Sequence, residues 1–400
     1  MRVLSLALAL VAAALAGCST VPQVPPAEAG VAFDRSGEIA SFAQGFADPQ
    51  ARRPVTPDDP VRVASVSKLV VAIGVMKLVE AGKLDLGSDV SRWLGWSLRN
   101  PAFPDRPITL HMLLSHTSSV REHDDDYAIP LGTSLQSVMQ DPRNWDLKHG
   151  PGANYFSYAN MNFPIVASIL ERVTSERFDI WMRRNVLDPM RLDACYNWAT
   201  CSDAAVARAV EIDGADGKPQ KDDIHGKRPD CSVYLKDGAP CDLTLWHPGE
   251  NGSSFSPQGG LRISMRALAR VGRLLLNGGT LDGVRIISPK SVEMLLTQVW
   301  RYNGHNGARD GESTNICSHG LATQQIPTPG CPDDMGTRGA ILVGHAGDAY
   351  GLRSGLWIDR KRGLGIAYFV TRVPEDPPDR SEFSPAETAA FRRTYALLPD

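Results

Sequence analysis

Leu352-Arg353-Ser354-Gly355-Leu356-Trp357-Ile358 is followed by Asp359-Arg360-Lys361-Arg362-Gly363 and then by Leu364-Gly365-Ile366-Ala367-Tyr368-Phe369-Val370-Thr371. Two short apolar runs joined by a basic, glycine-ended segment predict a β-hairpin with Lys361-Arg362-Gly363 at its turn. Ile341-Leu342-Val343 supplies a further strand ahead of it. At the other end of the chain, residues 31–46 hold two short apolar segments around Arg35-Ser36-Gly37, again a strand–turn–strand signal. Between the ends the pattern turns helical: 66–81 with Gly82 as a stop, 160–190, 264–277, 285–297 and 384–398, with 108–120 a short helix running into a turn. Strands at both termini with helices between them predict an α+β fold, an antiparallel sheet flanked by helices and built from both chain ends, with an inserted, mostly helical lobe. The sheet lobe spans about 31–98 and 255–398, and the helical lobe about 99–254. A cleft between two such lobes is where small molecules bind. Residues 204–254 are rich in Gly, Asp, Lys and Cys without periodicity and read as a long, stapled surface excursion.

The chain has 400 residues, 42% hydrophobic and 22% charged, with a formal net charge of −3. That is enough chain for a large core, and it lacks the basic excess of a nucleic-acid binder. A small-molecule or peptide substrate fits better. Met1-Arg2, an apolar run of about 15 residues and Leu15-Ala16-Gly17-Cys18 form the three regions of a signal peptide over 1–17, too short for a spanning helix. Leu15-Ala16-Gly17-Cys18 also resembles the bacterial lipobox, which implies a lipid on Cys18; a secreted protein with a chance Cys there is the alternative. Ser19 at the next position implies, under the same resemblance, an exported lipoprotein sorted to the outer membrane. Val21-Pro22-Gln23-Val24-Pro25-Pro26 makes 18–30 an extended tether, and the folded domain runs over 31–398.

Six cysteines remain beyond Cys18. In an exported chain an even set reads as disulfides, and sequence neighbours give Cys195–Cys201, Cys231–Cys241 and Cys317–Cys331. None of these pairs has the close spacing of a zinc site, and no metal or cofactor is expected. The acidic run Glu122-His123-Asp124-Asp125-Asp126 reads as a solvated surface turn, with a metal-binding loop as its rival.

Ser65-Val66-Ser67-Lys68 opens the 66–81 helix, and i,i+3 spacing puts the hydroxyl and the ammonium on one face. A serine hydroxyl needs a base, and a lysine serves as one only when burial lowers its pKa toward neutrality. The ordinary reading of Ser65 is a helix N-cap. Tyr158-Ala159-Asn160 places a phenol beside an amide ahead of an apolar helix, and His345-Ala346-Gly347 ends a predicted strand where a glycine lets substrate approach the sheet edge. His247-Pro248-Gly249 and His305-Asn306-Gly307 match the last pattern too, but only the copy at 345 lies between strand-like runs.

In this order, with Leu113-Leu114-Ser115-His116-Thr117-Ser118 and Gly259-Gly260-Leu261, these motifs resemble the class C β-lactamase and D-alanyl-D-alanine carboxypeptidase family, which includes esterases and D-aminopeptidases. The resemblance implies Ser65 as the acylated nucleophile, Lys68 as its activator and Tyr158 as acid and base, with the choice of acylation base between Lys68 and Tyr158 open. It also implies Asn160 holding the substrate amide and the main-chain amides of Ser65 and Asp348 as an oxyanion hole. The expected reaction is hydrolysis of an ester or a D-amino-acid-type amide through an acyl-enzyme. Alternatives are a peptidoglycan D,D-carboxypeptidase or β-lactamase, and a slow peptidoglycan- or β-lactam-binding module. The departures bear on substrate. His345 stands where family β-lactamases carry a lysine, and would be only partly charged at neutral pH. Asp348 would repel an anionic substrate, and Arg353 could restore positive charge. Ser119, after the His-Thr-Ser run, replaces the usual glycine and reads as neutral.

Overall fold

The structure, a computed structural model, describes residues 25–307, 316–375 and 383–399; the leader 1–17 and Cys18 lie outside the described residues. β1 (Glu28–Asp34) and β2 (Glu38–Gln44) form the N-terminal hairpin. The sheet therefore starts at Glu28, inside the stretch expected to be tether. Glu28 and Gly30 are poor strand formers, but their partners are distant in sequence. Glu28 pairs with Arg393, and a Cβ on Gly30 would lie 2.4 Å from Thr394 Oγ1.

β3 (Val61–Arg62) leads into α1 (Val66–Glu80), buried from Val66 through Met76. A helix apolar all round belongs inside a core rather than at its edge. α2 (Leu110–Leu114) starts at Thr109, whose hydroxyl accepts from Met112 N. The long 160–190 period resolves into α3 (Asn162–Thr174), ended by Ser175 at φ +55, and then shorter helical turns. β4 (Cys195–Tyr196) and β5 (Leu261–Ile263) join β3 in a small sheet with β5 at its centre. α4 (Met265–Leu276) and α5 (Pro289–Leu296) follow, each capped by a serine, Ser264 and Ser288.

The remaining strands are β6 (Trp300–Arg301), β7 (Ser318–His319), β8 (Gln324–Ile326), β9 (Leu342–Ala349), β10 (Leu352–Asp359) and β11 (Leu364–Val370), before the C-terminal α6 (Pro385–Tyr395). Among the described residues the large sheet runs β6-β7-β8-β9-β10-β11-β1-β2, with both chain ends joined at β11–β1. The β10–β11 hairpin closes as expected: Gly363 takes φ +72, and Asp359 Oδ1 accepts from Lys361 N and Arg362 N. Period-two alternation splits each strand between two apolar layers. Val31, Phe33, Leu356 and Phe369 join α1 and α4 in the larger, whereas Ala32, Trp357 and Tyr368 pack under α6 in the smaller. The larger core also takes in α2 and α3, so the helical lobe shares the sheet lobe's interior. Cys195–Cys201, Cys231–Cys241 and Cys317–Cys331 are joined, the pairing of sequence neighbours.

Candidate active site

Ser65 lies just before α1, and Ala64 beside it takes φ +43, a left-handed value that costs an alanine energy and that the surrounding packing must hold. The Ser65 side chain makes no cap hydrogen bond, so the ordinary N-cap role is not what its hydroxyl does. Instead Oγ sits 2.9 Å from Lys68 Nζ. Lys68 is fully buried, and its ammonium nitrogen also donates to Asn160 Oδ1 at 2.7 Å and to the Gln258 carbonyl at 2.8 Å. Three oxygens match the three donors of a lysine. Lys68 Nζ also stands 5.0 Å over the Tyr158 ring, so the three residues expected to carry the chemistry converge.

Tyr158 is held from behind. Its ring stacks on His116 at 4.4 Å, and His116 Nδ1 accepts from Ala159 N at 3.1 Å, which puts the imidazole proton on Nε2. Asn162 reaches the same Nδ1 at 3.0 Å and accepts from Ser118 Oγ at 2.7 Å. The 113–118 motif, quoted from the sequence without a role, is thus the prop beneath Tyr158. The turn it belongs to needs positive φ at His116 and at Ser119, +55 and +64. Ser119 is therefore not a neutral replacement for glycine: its strain is accompanied by a hydrogen bond from Asn100 Nδ2 at 3.0 Å.

Asn160 lines the cavity, but both ends of its amide already have protein partners. Oδ1 faces Lys68, and Nδ2 donates to Glu122 Oε1 at 3.0 Å. One N–H remains for a substrate. Glu122 also accepts from Met161 N at 2.8 Å. The acidic run is a surface turn only in part, because its first residue turns inward and fixes the orientation of Asn160. A carboxylate in a run of acids gives no sequence signal of this.

The β9 segment departs most from expectation. His345 is fully buried and does not line the cavity. Burial, aided by His319 and Lys68, pushes its pKa well below the ordinary histidine range, so it is neutral rather than partly charged. His319, at 6.0 Å from it, is pushed down to about 4 by burial, and His116, 5.0 Å from His319, falls well below its ordinary value for the same reason. Gly347 is required by the protein's own packing: a Cβ there would lie 2.4 Å from the Val63 carbonyl and 2.4 Å from Ser354 Oγ. This close approach brings the Gly347–Asp348 peptide against Ala64, next to Ser65. Asp348 lines the cavity and forms an ion pair with Arg353, which sits directly opposite on β10. The cation of Arg353 is therefore already engaged, and so is the anion of Asp348.

The cavity has a volume of about 890 Å³ and is lined by Ser65, Asn160 and Asp348 on one side. The 204–254 excursion supplies much of the other side through Lys221, Asp222 and Val233. Away from it, Asp48, Glu211 and His225 come close enough to hold a metal ion, but His225 already bridges Asp48 at 2.9 Å and Asp223 at 2.7 Å through its two ring nitrogens. No helix among the described residues is long and apolar enough to cross a membrane.

A family profile described as Beta-lactamase matches residues 27–388. Esterase EstB of Burkholderia gladioli is 44% identical over 88 residues, 22% of each chain. The curated relatives are matched over a third of their own length or less. Among solved structures, D-amino acid amidase of Ochrobactrum anthropi SV3 superposes with a TM-score of 0.65 at 17% identity, covering 93% of both chains. A class C beta lactamase from Rhodobacter sphaeroides gives 0.64 at 17%, covering 94% of both. These two likenesses extend the agreement to the fold.

Proposed function

Since this chain belongs to the beta-lactamase family of serine hydrolases, we propose that it hydrolyses an ester or a D-amino-acid-type amide through an acyl-enzyme on Ser65. The observation that carries the reading is the 2.9 Å contact between Ser65 Oγ and Lys68 Nζ, with the hydroxyl spared from helix capping. Acylation requires that the Lys68 ammonium first lose to bulk water the proton it directs at Ser65 Oγ; Oγ then attacks the substrate carbonyl while its own proton passes to the neutral amine. Tyr158, over which Lys68 lies, delivers a proton to the departing alcohol or amine. The main-chain amides of Ser65 and Asp348 receive the developing oxyanion, where the start of α1 adds positive potential. Water then attacks the acyl carbonyl, loses its proton to the Lys68–Tyr158 pair and releases Ser65 with the acid product.

A neutral His345 and an Asp348 already paired with Arg353 offer β9 no cation for a drug or peptide carboxylate, which favours the esterase or amidase reading over β-lactamase or D,D-carboxypeptidase. Comparing a p-nitrophenyl ester, a D-amino acid amide, a D-Ala-D-Ala peptide and nitrocefin separates these. Ser65→Ala is expected to abolish both ester hydrolysis and labelling by a fluorophosphonate; retention of either in the variant removes the nucleophile from the scheme. Export and anchoring through a lipid on Cys18, facing the periplasm or cell surface, belong to the same proposal. They are supported by the lipobox-like residues and the three disulfides, and metabolic labelling with a fatty acid that is lost in Cys18→Ser tests them.

A further inference from the structure

Charge that the hydrolytic scheme does not use lies at the end of the cavity formed by the β9–β10 turn. Arg62, three residues before Ser65, lines the cavity at 7% exposure, and its Nε is buried with no acceptor among the described residues. Tyr350, at the turn, is 43% exposed and held at φ +56. The Arg62 guanidinium lies 5.2 Å from its ring centroid, and Lys221 Nζ, from the excursion, lies 5.2 Å from the same centroid. Two cations on one aromatic ring repel each other, a cost that a buried arginine meets only when an anion or another hydrogen-bond acceptor answers it.

The nearby acids are engaged elsewhere. Asp222 gives both oxygens to Arg262, at 2.7 and 3.2 Å, and takes the Trp198 indole as well. Asp348 pairs with Arg353 and Asp223 with His225. Asp125, on the cavity rim, is exposed. Burial and the like charge of Arg262 lower the pKa of Arg62, and burial lowers that of Lys221. Arginine nonetheless keeps its proton at neutral pH, and its fork matches a carboxylate.

We propose that Arg62 and Lys221 form a subsite for a carboxylate carried by the substrate away from the scissile bond. The proposal rests on Ser65 being the reacting residue of this cavity and adds the substrate class: esters or amides bearing a free acid, recognised at the β9–β10 turn rather than at His345. Excess positive charge here would be neutralised on binding, so the anion gains both hydrogen bonds and relief of repulsion.

Calorimetric titration of the Ser65→Ala protein, which binds without turnover, tests this with glutaric acid monoanilide and its neutral primary amide, a pair alike in size. The acid is expected to bind at least about tenfold more tightly. Arg62→Met should erase most of that preference, and Lys221→Met, at a less buried position, should reduce it; added salt should weaken the acid alone. Equal binding of acid and amide, no binding of the acid, or a preference that survives both variants overturns the subsite. Failure of the nucleophile reading shows separately, as a wild-type protein that hydrolyses no ester while the acid preference persists.

Discussion

β9 and the turn that follows it handle charge in opposite ways. Along β9 every ionisable group is neutral or matched: His345 is buried and uncharged, and Asp348 faces Arg353 across the strand pair. Around Tyr350, Arg62 and Lys221 are brought together over one ring. The strand packs on the chain entering α1, with Gly347 against Val63, whereas the turn carries the two cations of the proposed subsite.

Removing the amine that the proposed acylation uses gives the largest expected effect. Lys68→Met should lower kcat by about 10²–10⁴-fold while circular dichroism shows a folded protein. A loss below tenfold would transfer the base role to Tyr158. Restoring charge on the strand side comes next. His345→Lys buries an ammonium among His319, His116 and Lys68, and should cost roughly 3–5 kcal/mol of stability in urea unfolding. If that variant kept its stability and gained nitrocefin hydrolysis, the contrast between the two sides would collapse.

What could be read from the sequence follows the range of the interactions. The β10–β11 hairpin, α1, the three disulfides and the Ser65–Lys68 spacing are local, so periodicity and neighbour distances reveal them. Tyr158 and Asn160 stand out in the sequence only as a phenol beside an amide, and their roles come from the resemblance. Arg353 opposite Asp348 depends on the strand register, and Lys221 over Tyr350 depends on the path of an aperiodic excursion. The burial of His345 depends on His319 from β7, which no motif marks. Glu28 and Gly30 look unlike strand because what they fit, Arg393 and Thr394, lies at the far end of the chain.

The neutrality of the strand side has its own signature in acid. His116, His319 and His345 have folded pKa values below the ordinary histidine value, so between about pH 6.5 and pH 4 the unfolded chain takes up protons that the folded chain refuses. Stability should be fully present above that window and fall as pH drops through it, by about 1.4 kcal/mol per pH unit for each imidazole. His319→Asn, which keeps a donor for the Gly320 carbonyl, should make the slope shallower by about one proton. An unchanged slope in urea titrations across this window would mean that His319 is already charged.

The smallest expected effect concerns Glu122, which acts on the Ser65–Lys68 pair only through Asn160. Its carboxylate accepts from both Asn160 Nδ2 and Met161 N, so it sets which end of the amide faces Lys68. Glu122→Gln replaces one acceptor oxygen with a donor and lets the Asn160 amide turn, exposing Lys68 Nζ to an N–H instead of Oδ1. kcat should fall about tenfold with little change in KM, the cost of about one charge-assisted hydrogen bond, and the pH profile of kcat should move because Lys68 has lost an acceptor. A variant that melts earlier but keeps both kcat and its pH profile would make Glu122 a fastening of the 122–126 turn, and the orientation of Asn160 would then have to be fixed by Lys68 itself.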